Sequence, residues 1–144
     1  MYRVLLLCKD NSVLSPMAEG YLKLMAGDSA EVCSAGVQHP KRVSAQIIKI
    51  LNEDGIDISG FTSHSLQEYR HIDFDYILTF DNESELKSQH LPSKPVKYHY
   101  EFDDLRQDAI SGQESLDYYR TIREKIKKSM RNFVKEHLSQ ANAI

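Results

Sequence analysis

Residues 4–16 read VLLLCKDNSVLSP, and the fold can be worked out from this stretch. Residues 2–7, which end in the four apolar residues 4–7, predict a buried β-strand. Ser15 followed by Pro16 predicts the start of a helix, with serine as the N-cap and proline at the first helical position. Cys8 therefore lies where a strand ends and a loop leads into a helix.

The composition limits the classes of protein to which the chain can belong. Its 144 residues suit one core, so we expect a single domain over 1–144. Hydrophobic residues make up 41% and charged residues 27%, which is typical of a globular chain. The net charge of −3 gives no reason to expect nucleic acid or an anionic membrane as a partner. The longest apolar run, residues 4–7, is too short for a membrane span or a signal peptide. We expect a cytoplasmic monomer that needs no cofactor.

The cysteine and histidine content gives no sign of a metal scaffold. Cys8 and Cys33 are too few for a disulfide framework, and in a reducing compartment we expect both as free thiols. The six histidines are scattered, and none is spaced from a cysteine as in a zinc site.

Strand and helix patterns alternate along the chain. Further strands are predicted at 31–35, 76–80 and 96–100, the last one at an edge. Ser44 can cap the second helix, and the last and longest helix has an apolar face opposite a basic one. Strands separated by helices imply parallel pairing through right-handed crossovers. We expect a parallel sheet that binds ligands at the carboxyl ends of its strands, where Cys8 lies.

The loop after Cys8 has the features of an anion site. A loop that enters a helix offers unpaired backbone N–H groups, and the helix dipole adds partial positive charge there. Both favour phosphate-like anions, and both are expected to lower the pKa of a thiol in the loop. Asn11 tolerates the left-handed backbone that such a loop often needs, and Ser15 can offer its hydroxyl to the thiolate. From spacing alone, a buried structural cysteine is an equal alternative.

The residues that carry a family resemblance are spread over nearly the whole chain. In chain order they are Cys8, Asn11, Ser12 and Ser15, then Met17-Ala18-Glu19-Gly20, Ser34-Ala35-Gly36, 55–59, 62–63, 75–79 and Phe102-Asp103-Asp104. With these residues the chain resembles the low-molecular-weight protein tyrosine phosphatases and their relatives, the thioredoxin-coupled arsenate reductases. The resemblance implies a phosphotyrosine phosphatase I-like α/β fold, a three-layer sandwich in which helices flank a four-stranded parallel sheet.

The resemblance also implies a role for each matched residue of the site. Cys8 would be the nucleophile, Ser15 the hydroxyl that activates it, and Asp104 the acid that protonates the leaving group. Asn11 would shape the loop. The anion-binding loop would consist of Lys9, Asp10, Asn11, Ser12, Val13 and Leu14. Some reductases bind potassium beside this loop, and the residues that match its ligands are Asn11, Glu19 and Ser34.

Two loop residues depart from the family motif. Leu14 stands where the motif has an arginine, whose guanidinium grips two anion oxygens. Losing one such donor typically costs about 10²–10³ in rate, and leucine donates nothing. Asp10 replaces a glycine, and we expect its carboxylate to repel a dianion and to raise the pKa of Cys8. We expect the ammonium of Lys9 to offset the charge of Asp10, but it cannot grip two anion oxygens as a guanidinium does.

Two interpretations of the function remain. Thioredoxin-coupled arsenate reduction needs two cysteines after the third strand, and 80–90 contains none. Cys33 is interpreted as a small core residue, and Tyr119, with Tyr118, as part of the last helix. The chain is then either a phosphatase- or reductase-like protein of very low activity or a non-catalytic pseudophosphatase that binds an anion or a partner. Its expected ligand is a phosphate-like oxyanion or a phosphoprotein, held weakly.

Overall fold

The described part of the chain alternates strands with helices, as predicted. The computed structural model describes residues 1–89, 91, 94–102 and 112–138. Its main elements are β1 (Tyr2–Cys8), α1 (Leu14–Ala26), β2 (Ala30–Gly36), α2 (Ala45–Asn52), β3 (Tyr76–Thr79), α3 (Asn82–Ser88), β4 (Val96–His99) and α4 (Gly112–Phe133). A 3₁₀ turn covers Leu66–Tyr69, and one π-helical turn, Val134–Leu138, follows α4. Each predicted strand matches an observed one to within one residue at either end.

The four strands form one parallel sheet in the order β2-β1-β3-β4, which confirms the predicted topology. Cys8 pairs with Gly36, and the carboxyl ends of β3 and β4 are in register at Thr79 and His99. The carboxyl ends of the strands therefore meet at one edge of the sheet, and this edge carries Cys8.

The sheet separates two apolar clusters. Alternate residues of β1 point to opposite faces, because side chains in a strand have a period of two. Val4, Leu6 and Cys8 belong to the larger cluster, beneath α1, α2 and α4. Leu5 and Leu7 belong to the smaller cluster on the other face, with Leu66 of the 3₁₀ turn and Phe74 among the residues they join. None of the helices in the described ranges is long and apolar enough to span a membrane.

Side chains cap α2 and α3, whereas α1 begins without a side-chain cap. Ser44 caps α2 as predicted, since its hydroxyl accepts the Ile47 N–H at 3.3 Å. The prediction that Ser15 caps α1 is wrong. The helix already begins at Leu14, and its N-cap residue, Val13, makes no side-chain capping bond. Ser15 therefore lies inside the first turn, which leaves its hydroxyl free to contact Cys8.

Ion pairs fasten α4 to the end of α2. The Glu53 carboxylate accepts from Arg120 at 2.6 Å and from Arg123 at 2.7 Å. Asp54 accepts from Lys127 at 3.2 Å and from the Tyr21 hydroxyl at 2.5 Å. Part of the basic face that the sequence predicts for the last helix is thus neutralised within the fold. These contacts hold α4 against the end of α2, with Tyr21 of α1 bound to the same carboxylate as Lys127.

Candidate active site

The loop between β1 and α1 turns its carbonyl oxygens toward the segment after β2. The carbonyls of Cys8, Lys9 and Asp10 accept backbone N–H groups at 3.1, 2.7 and 2.9 Å, from Val37, Gln38 and Lys41 respectively. The Asn11 carbonyl accepts the Ser63 hydroxyl at 3.1 Å. The backbone N–H groups of Asn11 and Ser15 hydrogen-bond to the Cys8 sulfur, while that of Lys9 donates to Asp81. The anion cradle predicted for this loop stays a prediction.

Asn11 holds this loop in shape, as the resemblance implies. Its φ of 57° is left-handed, as predicted, and its side chain is completely buried. Nδ2 donates to the Ser15 hydroxyl at 2.7 Å and to the Ser34 hydroxyl at 3.0 Å. Oδ1 accepts the His64 N–H at 2.8 Å. Both amide hydrogens and the amide oxygen are therefore used in binding three separate parts of the chain.

Gly36 lets the loop approach β2. A Cβ at this position would lie 2.7 Å from the backbone carbonyl carbon of Asp10 and 2.9 Å from the backbone nitrogen of Asn11. Contacts this short with backbone atoms can only be relieved by moving the loop. Glycine here is required by the close packing of two backbones.

Cys8 and Ser15 are in direct contact. The sulfur lies 2.9 Å from the Ser15 hydroxyl oxygen, and Cys8 is only 3% exposed. Burial raises the pKa of the Cys8 thiol, and the hydrogen bond from Ser15 lowers it by less. The expectation of a lowered pKa is therefore wrong, because removing the thiolate from water outweighs the hydrogen bonds that the loop gives it.

The carboxylate that acts on Cys8 is Asp81, which sequence reasoning did not identify. Its negative charge adds to the rise in the pKa of the thiol. One oxygen of Asp81 accepts the Lys9 N–H at 2.7 Å, and the other caps α3 by accepting the Ser84 N–H at 2.9 Å. Asp81 comes two residues after β3 ends. The rule that ligand sites form at the carboxyl ends of parallel strands could have identified it.

Asp10 has partners of its own. Oδ1 accepts the Ser12 hydroxyl at 2.5 Å, and Oδ2 lies 3.8 Å from Nζ of Lys41. The predicted offset by Lys9 is not observed, since its Nζ lies 3.9 Å from Glu83 instead. Asp10 does not figure among the principal influences on the pKa of Cys8, where the sequence predicted that it would.

A cavity of about 400 Å³ opens over Cys8. The loop forms one wall, the junction of β3 with α3 a second, and Tyr118 and Tyr119 of α4 contribute to a third. Both tyrosines lie in the last helix, as predicted, but their place in the cavity lining was not predicted. Helical periodicity could not reveal this position, because it depends on how α4 packs across the sheet.

The charged side chains described in the cavity lining include more carboxylates than ammonium groups. Among the described residues, the ammonium groups are those of Lys9 and Lys41, and the carboxylates are those of Asp10, Asp81 and Glu83. Leu14 lines the same cavity but is only 3% exposed and belongs to the larger apolar cluster. No described side chain in this lining carries a guanidinium.

The side chains suggested for potassium do not fit a cation as they are arranged. Asn11 turns its amide nitrogen, not its oxygen, toward Ser34. The Glu19 carboxylate is paired with Nζ of Lys23 at 3.1 Å. Within the described ranges, no group of three or more His, Cys, Asp or Glu side chains could hold a metal ion. No step of the chemistry is derived through potassium.

Cys33 and Asp104 are the remaining residues that the sequence singled out. Cys33 is half-buried and packs against the smaller apolar cluster, as the interpretation of a core residue requires, and burial raises its pKa. Asp104, the predicted general acid, lies outside the described residues, as does the neighbouring Asp103.

Comparisons with known proteins agree with this fold. The sequence model of the family "low molecular weight phosphotyrosine protein phosphatase" matches residues 3–143. The glutaredoxin arsenate reductase of Synechocystis sp. is 32% identical over 134 residues, which cover 93% of this chain and 97% of the relative. Arsenate reductase 1 of Staphylococcus epidermidis is 34% identical over 127 residues, covering 88% and 91%.

Solved structures with the same fold include both kinds of relative. An arsenate reductase in the phosphate-binding state superposes with a TM-score of 0.70 at 26% identity, over 94% of this chain and 98% of the other. The low-molecular-weight protein tyrosine phosphatase of T. tengcongensis gives a TM-score of 0.74 at 25% identity, over 94% and 99%. The chain belongs to the low-molecular-weight phosphotyrosine protein phosphatase family, within which it is similar to the arsenate reductases.

Proposed function

We propose that this chain is a catalytically impaired member of its family, one that binds phosphate-like oxyanions weakly over Cys8. The single observation that carries the proposal is the set of charges around the cavity. Among the described residues, two ammonium groups face three carboxylates, and the buried Leu14 occupies the position at which the resemblance leads us to expect an arginine. The backbone cradle supports anion binding, while these side chains weaken it.

The chemistry that the site would perform uses Cys8 and Ser15. The sulfur would attack the phosphorus or arsenic atom of a bound oxyanion, with the Ser15 hydroxyl stabilising the thiolate at 2.9 Å. Asp104 would protonate the leaving oxygen. The raised pKa of Cys8 supports a slow reaction, since the thiol must first lose its proton in a buried place near Asp81.

The loss of a guanidinium also supports a low rate. A fixed donor aimed at the developing charge is worth about 10²–10³ in rate in other enzymes, and an arginine that also binds the ground state is worth more. Leu14 offers no donor. The ammonium groups of Lys9 and Lys41 are on flexible chains and already lie near carboxylates.

Arsenate reduction coupled to thioredoxin is not part of the proposal. That mechanism passes a disulfide among three cysteines, and the chain has two. Cys33 packs on the face of the sheet opposite Cys8. We therefore propose no thiol relay within the chain.

A non-catalytic role is the second candidate. In this case the loop would be an anion- or phosphoprotein-binding module, and Cys8 would contribute only its buried sulfur to the cavity. The observation that favours it is the negative charge of the carboxylates in the described cavity lining. This charge disfavours binding of the doubly charged oxyanion on which the family's enzymes act. For either candidate we propose a cytoplasmic monomer, in keeping with two free cysteines.

The test is turnover of p-nitrophenyl phosphate by the wild type, Cys8→Ser and the double variant Leu14→Arg/Asp10→Gly. We expect wild-type turnover at least about 10² below that of an active family member assayed beside it, and a gain in phosphate binding in the double variant. Leu14→Met/Asp10→Gly is the matched control, because it removes the carboxylate without adding a guanidinium. Wild-type turnover at the rate of the active relative, abolished by Cys8→Ser, would contradict the proposal. Detectable turnover in the wild type that Cys8→Ser removes would favour the impaired enzyme over the non-catalytic module.

A further inference from the structure

We infer that the cavity over Cys8 prefers singly charged tetrahedral oxyanions to doubly charged ones, and that Lys41 is the side chain that contacts the bound anion. This inference rests on the proposed function, because it takes the loop to be an oxyanion site. To the proposed function it adds the charge of the ligand, which is one negative charge as in a phosphate diester. It also adds Lys41 as a residue that determines specificity.

The preference for one charge follows from the groups around the cavity. The loop amides attract any oxyanion, whatever its charge. The carboxylates of Asp10, Asp81 and Glu83 repel it in proportion to its charge, and within the described lining they outnumber the ammonium groups. The second negative charge of a dianion therefore gains less attraction from the lysines than it suffers repulsion from the carboxylates. A singly charged ion keeps most of the amide contacts and meets about half of that repulsion.

Both lysines line the cavity, and the side chain of Lys41 is more exposed than that of Lys9, 72% against 48%. The backbone of Lys41 is fixed to the loop directly and through Ser63, whose hydroxyl also contacts the Asn11 carbonyl. The N–H of Lys41 donates to the Asp10 carbonyl at 2.9 Å, and the carbonyl of Lys41 accepts the Ser63 hydroxyl at 2.6 Å. The Lys41 side chain is 72% exposed, so it can swing at its tip without unpacking anything.

The present partner of Lys41 can also release it at low cost. Nζ of Lys41 is 3.8 Å from the Asp10 carboxylate, which is longer than a hydrogen bond. Exposed pairs of this kind contribute little to stability. Asp10 keeps the Ser12 hydroxyl at 2.5 Å when the ammonium leaves. An entering anion can therefore take over the ammonium of Lys41 while the loop remains in place.

The test uses perrhenate and tungstate, two tetrahedral oxyanions of similar size with one and two negative charges. Each is titrated at pH 8 into ¹⁵N-labelled protein, and binding is followed by the shifts of the loop amides of Asn11 and Ser12. We expect perrhenate to bind about tenfold more tightly than tungstate. Equal or tighter tungstate binding, or no shift of the loop amides with either ion, would overturn the inference.

Variants of Lys41 and Asp10 test which side chain contacts the bound anion. Lys41→Met should weaken perrhenate binding about fivefold, whereas Lys49→Met, at an exposed lysine of α2 outside the cavity lining, should not change it. Asp10→Asn should strengthen tungstate binding more than perrhenate binding and so narrow their ratio. Perrhenate binding that Lys41→Met leaves unchanged would refute the role of Lys41. These titrations measure binding alone, so their outcome does not depend on whether the protein hydrolyses p-nitrophenyl phosphate.

Discussion

Cys8 and Cys33 lie on neighbouring strands but point to opposite faces of the sheet. The register pairs Cys8 with Gly36 and Cys33 with Leu5, so the two cysteines are three positions apart along the strands. Three positions correspond to about 10 Å. A disulfide needs Cα atoms within about 7 Å and side chains that face each other. The folded chain can satisfy neither condition.

Oxidation of the folded protein should therefore give no internal disulfide. Protein treated with diamide and digested without reduction should yield no peptide pair joined through Cys8 and Cys33 in mass spectra. The same treatment in guanidinium chloride is the control, because the unfolded chain lets the two thiols meet. A joined pair in the folded sample would show that the strands rearrange, and it would reopen the possibility of a thiol relay.

Alkylation of Cys8 should be slow at neutral pH and should rise only in alkaline solution. Burial holds the pKa of the thiol above its ordinary value, and the Ser15 hydroxyl partly counteracts this. Ser15→Ala should move the alkylation profile to still higher pH, while Asp81→Asn should move it to lower pH. The measurement is the rate of iodoacetamide labelling against pH in a Cys33→Ala background. A profile that Ser15→Ala leaves in place would mean that the 2.9 Å contact does not stabilise the thiolate.

Gly36→Ala should destabilise the protein and displace the loop. The added Cβ meets backbone atoms of Asp10 and Asn11 below 3.0 Å, so we expect a loss of about 1–3 kcal/mol in the free energy of unfolding. Gly60→Ala is the matched control, since a Cβ there has no neighbour within 4 Å. Urea unfolding measures both changes. Equal stability of the two variants would mean that the loop yields without cost.

Acid should weaken the attachment of α4 through Glu53. Hydrogen bonds from Arg120 and Arg123 lower the pKa of Glu53 from 4.5 to about 2. A lowered pKa in the folded state contributes stability above the unfolded value of 4.5, and this is lost as the pH falls toward 2. Glu53→Gln should thus flatten the loss of stability across this range.

Urea unfolding at several pH values, each with wild type and variant, provides the measurement. Glu31→Gln is the control, because the Glu31 carboxylate has one long contact, 3.7 Å, to Arg3. If Glu53→Gln and Glu31→Gln change the pH profile alike, the bonds of Glu53 to α4 do not account for the acid sensitivity.

The sequence predicts the features that depend on neighbouring residues. The strand that ends at Cys8, the left-handed Asn11 and the cap at Ser44 are all local, and the structure confirms each. The parallel sheet follows from the alternation of strands and helices together with the handedness of crossovers. The family resemblance is confirmed by the match over residues 3–143.

The sequence could not predict contacts between residues that are far apart in the chain. The Asp81 carboxylate lies near Cys8 only because β3 pairs beside β1. Tyr118 and Tyr119 reach the cavity only because α4 crosses the larger cluster. The sequence does not predict the helix start at Leu14, because α1 begins without a capping bond from a side chain.

The side chain of Asn11 gives the loop a cooperative character. One side-chain amide joins the first turn of α1, the end of β2 and the segment at His64, so opening any of these parts breaks a hydrogen bond of the buried Asn11. Hydrogen exchange at the loop amides should then follow the global unfolding of the domain rather than a separate local fluctuation. The loop amides should then be among the last in the protein to exchange, even if the loop catalyses little.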